Sequence, residues 1–142
     1  MKVRRSNRLV DMTRYLLDHP RELVSLKFFG QRYESAKSSI SEDLSIIRNT
    51  VERWGVGRLE TLPGASGGAR LTPLYSKDNA QTVIDQLVKA VDDESRLLPG
   101  GYVYLSDLLG RPDILRKVGR LIATQYIDQD VDVIMTVETK GI

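Results

Sequence analysis

A long amphipathic segment between residues 37 and 54 most restricts what this chain can fold into. Its apolar residues recur at alternating steps of four and three: Ile40, Leu44, Ile47, Val51 and Trp54. This spacing predicts a helix of about four turns with one buried face. Gly55 and Gly57 follow directly and predict its end.

The segments on either side of this helix define a recognisable order of elements. Leu26, Phe29 and Tyr33 mark a short helix before it, and Leu9, Met12 and Leu16 mark a further helix near the N-terminus. After it, two short strands flank a turn rich in glycine, residues 58–72. Two helices followed by a hairpin predict a winged helix-turn-helix, a fold whose usual partner is duplex DNA.

Composition excludes several classes of site. The 142 residues contain no cysteine and one histidine, His19, so disulfide and thiolate chemistry are excluded and no metal site is expected. No apolar run reaches 18 residues, so we expect no membrane contact. No Ser/His/Asp set or acid pair stands out, so we expect no catalytic residues. A reducing cytoplasm is the expected location.

Charge is distributed unevenly along the chain. Residues 1–75 hold 13 Lys and Arg against 8 Asp and Glu, and residues 76–142 hold 8 against 11. The balances of +5 and −3 favour a DNA-facing first half, although a difference of this size also arises by chance.

Three groups of side chains are predicted to contact double-stranded DNA. The start of the long helix offers small hydroxyls and a cation for the major groove: Lys37, Ser38, Ser39 and Ser41. The hairpin offers two arginines and a small tip: Arg58, Ser66, Gly67 and Arg70. The N-terminus offers a basic arm: Lys2, Arg4, Arg5 and Arg8. Taken singly, each group has an ordinary alternative: a solvated helix cap, a common hairpin or a frayed terminus.

The second half has a different pattern. A helix is predicted over the apolar stripe from Ala80 to Val91, wide enough to pack against much of the remainder or a second subunit. A strand at 102–105, a helix from Pro112 and a buried-type strand at 131–137 follow. The predicted fold class is therefore α+β: a winged helix at 1–74 and, at 75–142, the opening part of an α/β domain.

Several long motifs resemble the purine operon repressors of Gram-positive bacteria. They are the runs 5–13, 33–44, 63–68, 97–107 and 137–142, and the resemblance covers the whole chain. The family resemblance implies a homodimer that represses purine synthesis genes. It also implies a second domain like a type I phosphoribosyltransferase, used for sensing and not for catalysis.

The same resemblance implies an effector and some of its contacts. Phosphoribosyl pyrophosphate (PRPP) relieves DNA binding in this family, purine nucleotides compete for its pocket, and no cofactor is expected. Thr139, Lys140 and Gly141 fall on the family's pyrophosphate loop, and Tyr102 falls in the segment that covers the effector.

One family motif has no counterpart in this chain. The strand with two adjacent acids and a Gly-Gly-Thr loop, which binds ribose 5-phosphate, is not found in residues 1–142. We therefore expect an incomplete effector pocket in a chain that represents part of a protein about twice as long. Two other functions stay open: a phosphoribosyltransferase enzyme and a winged-helix module that binds proteins.

Overall fold

The computed structural model describes residues 3–64, 67–129 and 131–136. The chain divides into two compact units, Met1–Ser76 and Lys77–Ile142. The predicted boundary between residues 74 and 75 lies close to this division.

The first unit has three helices and a small antiparallel sheet. The helices are α1 (Arg5–Asp18), α2 (Leu26–Arg32) and α3 (Lys37–Arg53). The strands are β1 (Val24–Ser25), β2 (Arg58–Leu62) and β3 (Gly68–Thr72), in the spatial order β1-β3-β2. This arrangement is a winged helix-turn-helix, as the order of elements predicted, and we call residues 58–72 the wing.

The core of the first unit lies between the three helices and the sheet. The predicted stripe of α3 is buried at Ile40, Leu44, Ile47 and Val51, and it packs with Phe29 of α2 among others. Trp54 does not join this core. It lies just after the last turn of α3 and is 70% exposed, so the prediction that it continues the buried stripe was wrong. The helix ends before the next buried position is reached.

Strand β1 was not predicted, because two residues carry too little pattern to detect. It pairs with β3 through Val24 opposite Ala69 and Ser25 opposite Gly68. Gly68 permits this close approach, since a Cβ atom there would lie 2.3 Å from the carbonyl oxygen of Val24. The pairing of β1 with β3 therefore depends on a residue without a side chain at position 68.

A polar cluster on Asp11 joins α1 to α2. Its carboxylate accepts hydrogen bonds from the Tyr33 hydroxyl (2.8 Å) and Arg32 Nε (2.9 Å), and from Arg14 of its own helix (3.1 Å). The hydroxyl of Tyr33, then the guanidinium of Arg32, lower the pKa of Asp11 from 3.8 to about 2. Burial raises the pKa of Tyr33 to about 12.

The second unit is a set of short elements with a small interior. It contains α4 (Lys77–Val91), a 3₁₀ turn (Glu94–Arg96), β4 (Leu97–Leu98) paired with β5 (Tyr102–Val103), α5 (Ser106–Leu109) and α6 (Pro112–Gln125). Arg96 holds the hairpin by donating to the carbonyl oxygens of Ala90 and Tyr104 and to both carboxylate oxygens of Asp107.

Two predictions for the second unit were wrong. The stripe of α4 is buried at Val83, whereas Ile84, Val88 and Val91 are substantially exposed. Residues 131–136 form no strand, and Ile134 and Met135 lie in solvent. A buried strand needs neighbours that supply hydrogen bonds and an apolar surface, and no described segment provides them to residues 131–136.

The Asp11 cluster predicts part of the acid unfolding of the chain. A carboxyl group whose pKa is lowered by folding stabilises the folded state above its ordinary pKa of 3.8, and this contribution disappears as the pH falls towards 2. Asp11→Asn is expected to lower the stability near pH 7 by about 1 kcal/mol and to flatten its decline below pH 4. Thermal unfolding followed by circular dichroism from pH 7 to pH 2 measures both effects.

Asp18→Asn is the matched control, because Asp18 is half exposed and pairs with Arg14 alone among the described residues. Parallel stability curves for the wild type and Asp11→Asn would contradict the assignment.

Candidate nucleic-acid interface

The start of α3 is shaped by a tight turn after α2. Glu34 in this turn has a positive φ of 48°, and Ala36 is the N-cap residue of α3. No side chain caps the helix. The Ser35 hydroxyl donates to the Tyr33 carbonyl oxygen (3.0 Å) and accepts from Arg8 (3.1 Å), so it is engaged elsewhere.

A buried carboxylate fixes α3 against α1. Asp43 has no exposed side-chain surface, and its two oxygens accept hydrogen bonds from Arg8 Nε and from Arg5 Nε, the latter at 2.9 Å. Arg5 also contacts Glu42 at 3.4 Å. The first two turns of α1 are thereby tied to the first half of α3.

The basic arm therefore differs from its prediction. Arg5 and Arg8 belong to α1 rather than to an extended arm. Arg8 is 7% exposed and committed to Asp43 and Ser35, so it is a structural residue and not part of a DNA-facing surface. Arg4 is exposed at the N-cap of α1, next to the residues tied to α3. Lys2 lies outside the described residues.

The wing is held to α3 by Arg48, a residue that the sequence analysis did not select. Its guanidinium donates to the carbonyl oxygen of Leu59 (3.0 Å) and to the hydroxyl of Thr61 (2.5 Å), both on β2. Arg48 thus holds the wing against α3 together with the apolar core, which contains Leu59.

The predicted wing residues have different environments. Arg58 is exposed at the base of β2, and Gly67 donates its amide to the carbonyl of Gly64 (3.1 Å) at the tip. Arg70 lies opposite Glu60 in the strand pairing and forms an ion pair with it (3.0 Å). This pairing reduces the charge that Arg70 can offer to a phosphate. Ser66 lies outside the described residues.

The predicted residues on α3 all lie on or beside its exposed side. Lys37, Ser38 and Ser41 are exposed and Ser39 is partly exposed. Within the described part of the chain, Lys37 has no ion-pair partner, in contrast to Arg5, Arg8 and Arg70. A cation without an internal partner can neutralise a phosphate without breaking a contact.

A signal for the missed Asp43 was present in the sequence. Helical projection places it beside the apolar stripe of α3, where a carboxylate requires a partner of opposite charge. Arg8 occupies the corresponding place beside Met12 on α1. This position marks each of the two residues as a buried charge that needs a partner, but it does not show that they pair with each other.

The predicted effector residues do not assemble into a site in the described residues. Tyr102 is 71% exposed on β5, and Thr139, Lys140 and Gly141 lie outside the described residues. The second unit has an open groove lined by apolar residues including Leu87 and Val103, with acidic side chains at 92–94. This acidic edge does not suit a polyphosphate ligand.

Two kinds of site are absent from the described residues. None of their helices is long and apolar enough to span a bilayer. No group of three or more His, Asp or Glu side chains among them is arranged to hold a metal ion.

Comparison with known proteins identifies the first unit. Residues 4–73 match the family described as bacterial purine repressor, N-terminal. Residues 4–73 belong to this family. The matched range coincides with the winged helix, from the N-cap of α1 to the residue after β3. The purine repressor N-terminal domain thus contains both Asp43 and the wing.

Curated relatives match both units. A purine biosynthesis transcriptional repressor of Bacillus subtilis is 54% identical over the whole chain, and a probable purine biosynthesis transcriptional regulator of Streptococcus pneumoniae is 47% identical. A purine biosynthesis transcriptional activator of Lactococcus lactis is 46% identical over 99% of the chain. The chain spans about half the length of these relatives, 50% to 52%.

The buried pair at Asp43 predicts a large stability effect. Asp43→Asn removes the charge that compensates Arg8, so we expect the free energy of unfolding to fall by about 3 kcal/mol. Urea denaturation followed by circular dichroism measures this change.

The double variant Arg8→Met with Asp43→Leu is the control, because it removes both charges and is expected to lose less stability than Asp43→Asn. A loss below about 1 kcal/mol for Asp43→Asn would show that the pair does not hold α1 to α3.

Proposed function

We propose that this protein is a DNA-binding transcriptional repressor of purine biosynthesis genes. The proposal rests on the match of residues 4–73 to the purine repressor N-terminal family and on the first turn of α3. This turn is exposed, and no side chain caps its backbone N–H groups. Its cation, Lys37, has no ion-pair partner among the described residues. In this proposal α3 enters the major groove, and the wing and the exposed Arg4 approach the sugar-phosphate backbone.

The names of the relatives support a regulator of purine genes rather than an enzyme. The Bacillus subtilis relative is named a repressor, but the Lactococcus lactis relative is named an activator. Activation is therefore the second candidate, and the position of the bound site relative to the promoter decides between the two. A promoter-reporter assay with and without the protein distinguishes them by the sign of the change.

The effector part of the proposal rests on the resemblance of residues 97–107 and 137–142 to the family. We infer a phosphoribosyltransferase-like region that senses PRPP and releases the DNA, in a cytoplasmic homodimer. Tyr102, Thr139, Lys140 and Gly141 are the residues proposed to contact the effector. A purine nucleotide is the proposed competitor.

A protein-binding module is the remaining alternative. An open apolar groove between α1 and α3, lined by residues including Val10, Leu17 and Ile46, favours it. Failure to bind any duplex at low salt would support this alternative over the repressor.

The role of Lys37 predicts a specific change in DNA binding. If its ammonium group neutralises one phosphate, Lys37→Ala weakens binding to all duplexes alike and lowers the slope of log affinity against log salt by about one unit. Fluorescence anisotropy with two duplexes over a salt series measures this slope. One duplex contains the inverted repeat upstream of a purine synthesis operon, and the other is its scrambled version.

Lys89→Ala is the matched control, since Lys89 is an exposed lysine on α4 of the other unit. Unchanged affinity and slope for Lys37→Ala would remove Lys37 from the interface. Equal affinity for both duplexes would show that this chain binds DNA without reading the operator.

PRPP provides the test of the effector proposal. Because the ribose 5-phosphate motif is not found in residues 1–142, the test uses a form of the protein that carries this motif. Millimolar PRPP is expected to lower the fraction of operator bound by that form, while ATP, a control of similar charge, is expected to have a smaller effect at the same ionic strength. Anisotropy of the preformed complex measures both. Equal effects of PRPP and ATP on that form would show only general competition between polyanions and would contradict the proposed PRPP sensing.

A further inference from the structure

The exposed face of α3 carries hydrogen-bond acceptors instead of cations. Between Lys37 and Arg48 the helix has no Lys or Arg, and Arg48 is turned to β2. Four exposed side chains with hydrogen-bond acceptors lie on one face at the middle of the helix, where the third follows the first two by four and three residues and the fourth follows the third by four: Ser41, Glu42, Ser45 and Asn49. We call these four residues the acceptor face.

Two of the hydroxyl groups on this face donate their protons to carbonyl oxygens of the helix backbone. The Ser41 hydroxyl lies 3.0 Å from the carbonyl oxygen of Lys37, and the Ser45 hydroxyl lies 3.1 Å from that of Ser41. A carbonyl oxygen cannot donate, so each hydroxyl is the donor. Each serine oxygen therefore keeps lone pairs for an outside donor and has no proton left to give.

Glu42 adds a third acceptor whose charge is partly compensated. One of its oxygens contacts Arg5 at 3.4 Å, while the side chain remains 67% exposed. A lone carboxylate near phosphates would be repelled, and the contact with Arg5 reduces that cost. Arg5 therefore supports the acceptor face while its other contact is to Asp43.

Asn49 completes the face two turns after Glu42. Its exposed amide makes no hydrogen bond within the described part of the chain, so it can both accept and donate. An Asn side chain in the major groove forms paired hydrogen bonds with adenine through N6 and N7.

The chemistry of the major groove identifies which bases suit this face. Adenine N6 and cytosine N4 present donors there, whereas guanine N7 and O6 and thymine O4 are acceptors. Acceptors of the protein can pair only with donors of the DNA.

We propose that the acceptor face of α3 reads the exocyclic amino groups of adenine and cytosine in the operator. The proposal rests on the DNA-binding function proposed above and specifies how that function selects its site. It assigns sequence readout to Glu42, Ser45 and Asn49. Ser41 adds a further acceptor near the start of the helix, where Lys37 supplies charge without selecting a base.

The first experiment is a selection from randomised duplexes with the 142-residue chain, followed by base analogues at the selected positions. 2-Aminopurine still pairs with thymine but lacks the N6 amino group in the major groove. At an adenine read by α3 it is expected to weaken binding about fivefold or more. Pyrimidin-2-one, which lacks the N4 amino group, tests a selected cytosine in the same way.

The variants Glu42→Ala, Ser45→Ala and Asn49→Ala connect each analogue to a side chain. When the residue that reads a base is removed, the analogue at that base is expected to have no further effect, because the two changes remove one contact. Thr50→Ala is the matched control. The Thr50 hydroxyl, like those of Ser41 and Ser45, donates to a carbonyl oxygen of the helix backbone, that of Ile46 at 2.8 Å. Thr50 lines the apolar groove, however, and does not belong to the acceptor face.

The outcomes separate this inference from the function on which it rests. Loss of the analogue effect in one of the three variants, with the effect retained in Thr50→Ala, supports the inference. Sequence-selective binding in which the three variants and Thr50→Ala keep the same base preferences would overturn the inference and leave the DNA-binding function standing. Failure of the wild-type chain to bind any duplex at low salt would overturn both.

Discussion

The contact between Arg8 and the buried carboxylate of Asp43 is the constraint on which the first unit depends. A carboxylate with no exposed surface requires compensation, and two arginines from the first turns of α1 provide it. The same contact places the start of α1 against α3. Arg8 also donates a hydrogen bond to the Ser35 hydroxyl, in the turn before α3. The geometry of α3 is thus determined by charges as well as by apolar packing.

This constraint also separates structural cations from cations that can bind DNA. Arg5, Arg8 and Arg70 pair with carboxylates of the same chain, whereas Lys37 and Arg4 are exposed without an ion-pair partner among the described residues. Net charge alone does not reveal this division. The proposed function therefore assigns affinity for phosphates and selection of bases to different side chains, because the middle of α3 presents acceptors where cations are absent.

The wing and α3 act as one surface because Arg48 connects them. Its hydrogen bonds to Leu59 and Thr61 keep β2 beside the helix, and Gly68 allows β1 to complete the sheet on the other side of β3. In the second unit a comparable arginine, Arg96, connects α4, the β4–β5 hairpin and α5 through Ala90, Tyr104 and Asp107. The apolar residues of α4 in that unit are nonetheless more exposed than their spacing predicted.

The sequence by itself determined the order of elements in the first unit and the buried stripe of α3, because helical periodicity and glycine-rich turns are local signals. It also indicated the purine repressor family through long motifs. Only the tertiary structure decided which arginines are buried, that Trp54 lies outside the core and that β1 exists. These features depend on partners far apart in the chain, such as Arg8 with Asp43 and Val24 with Ala69, and no local pattern encodes such pairings.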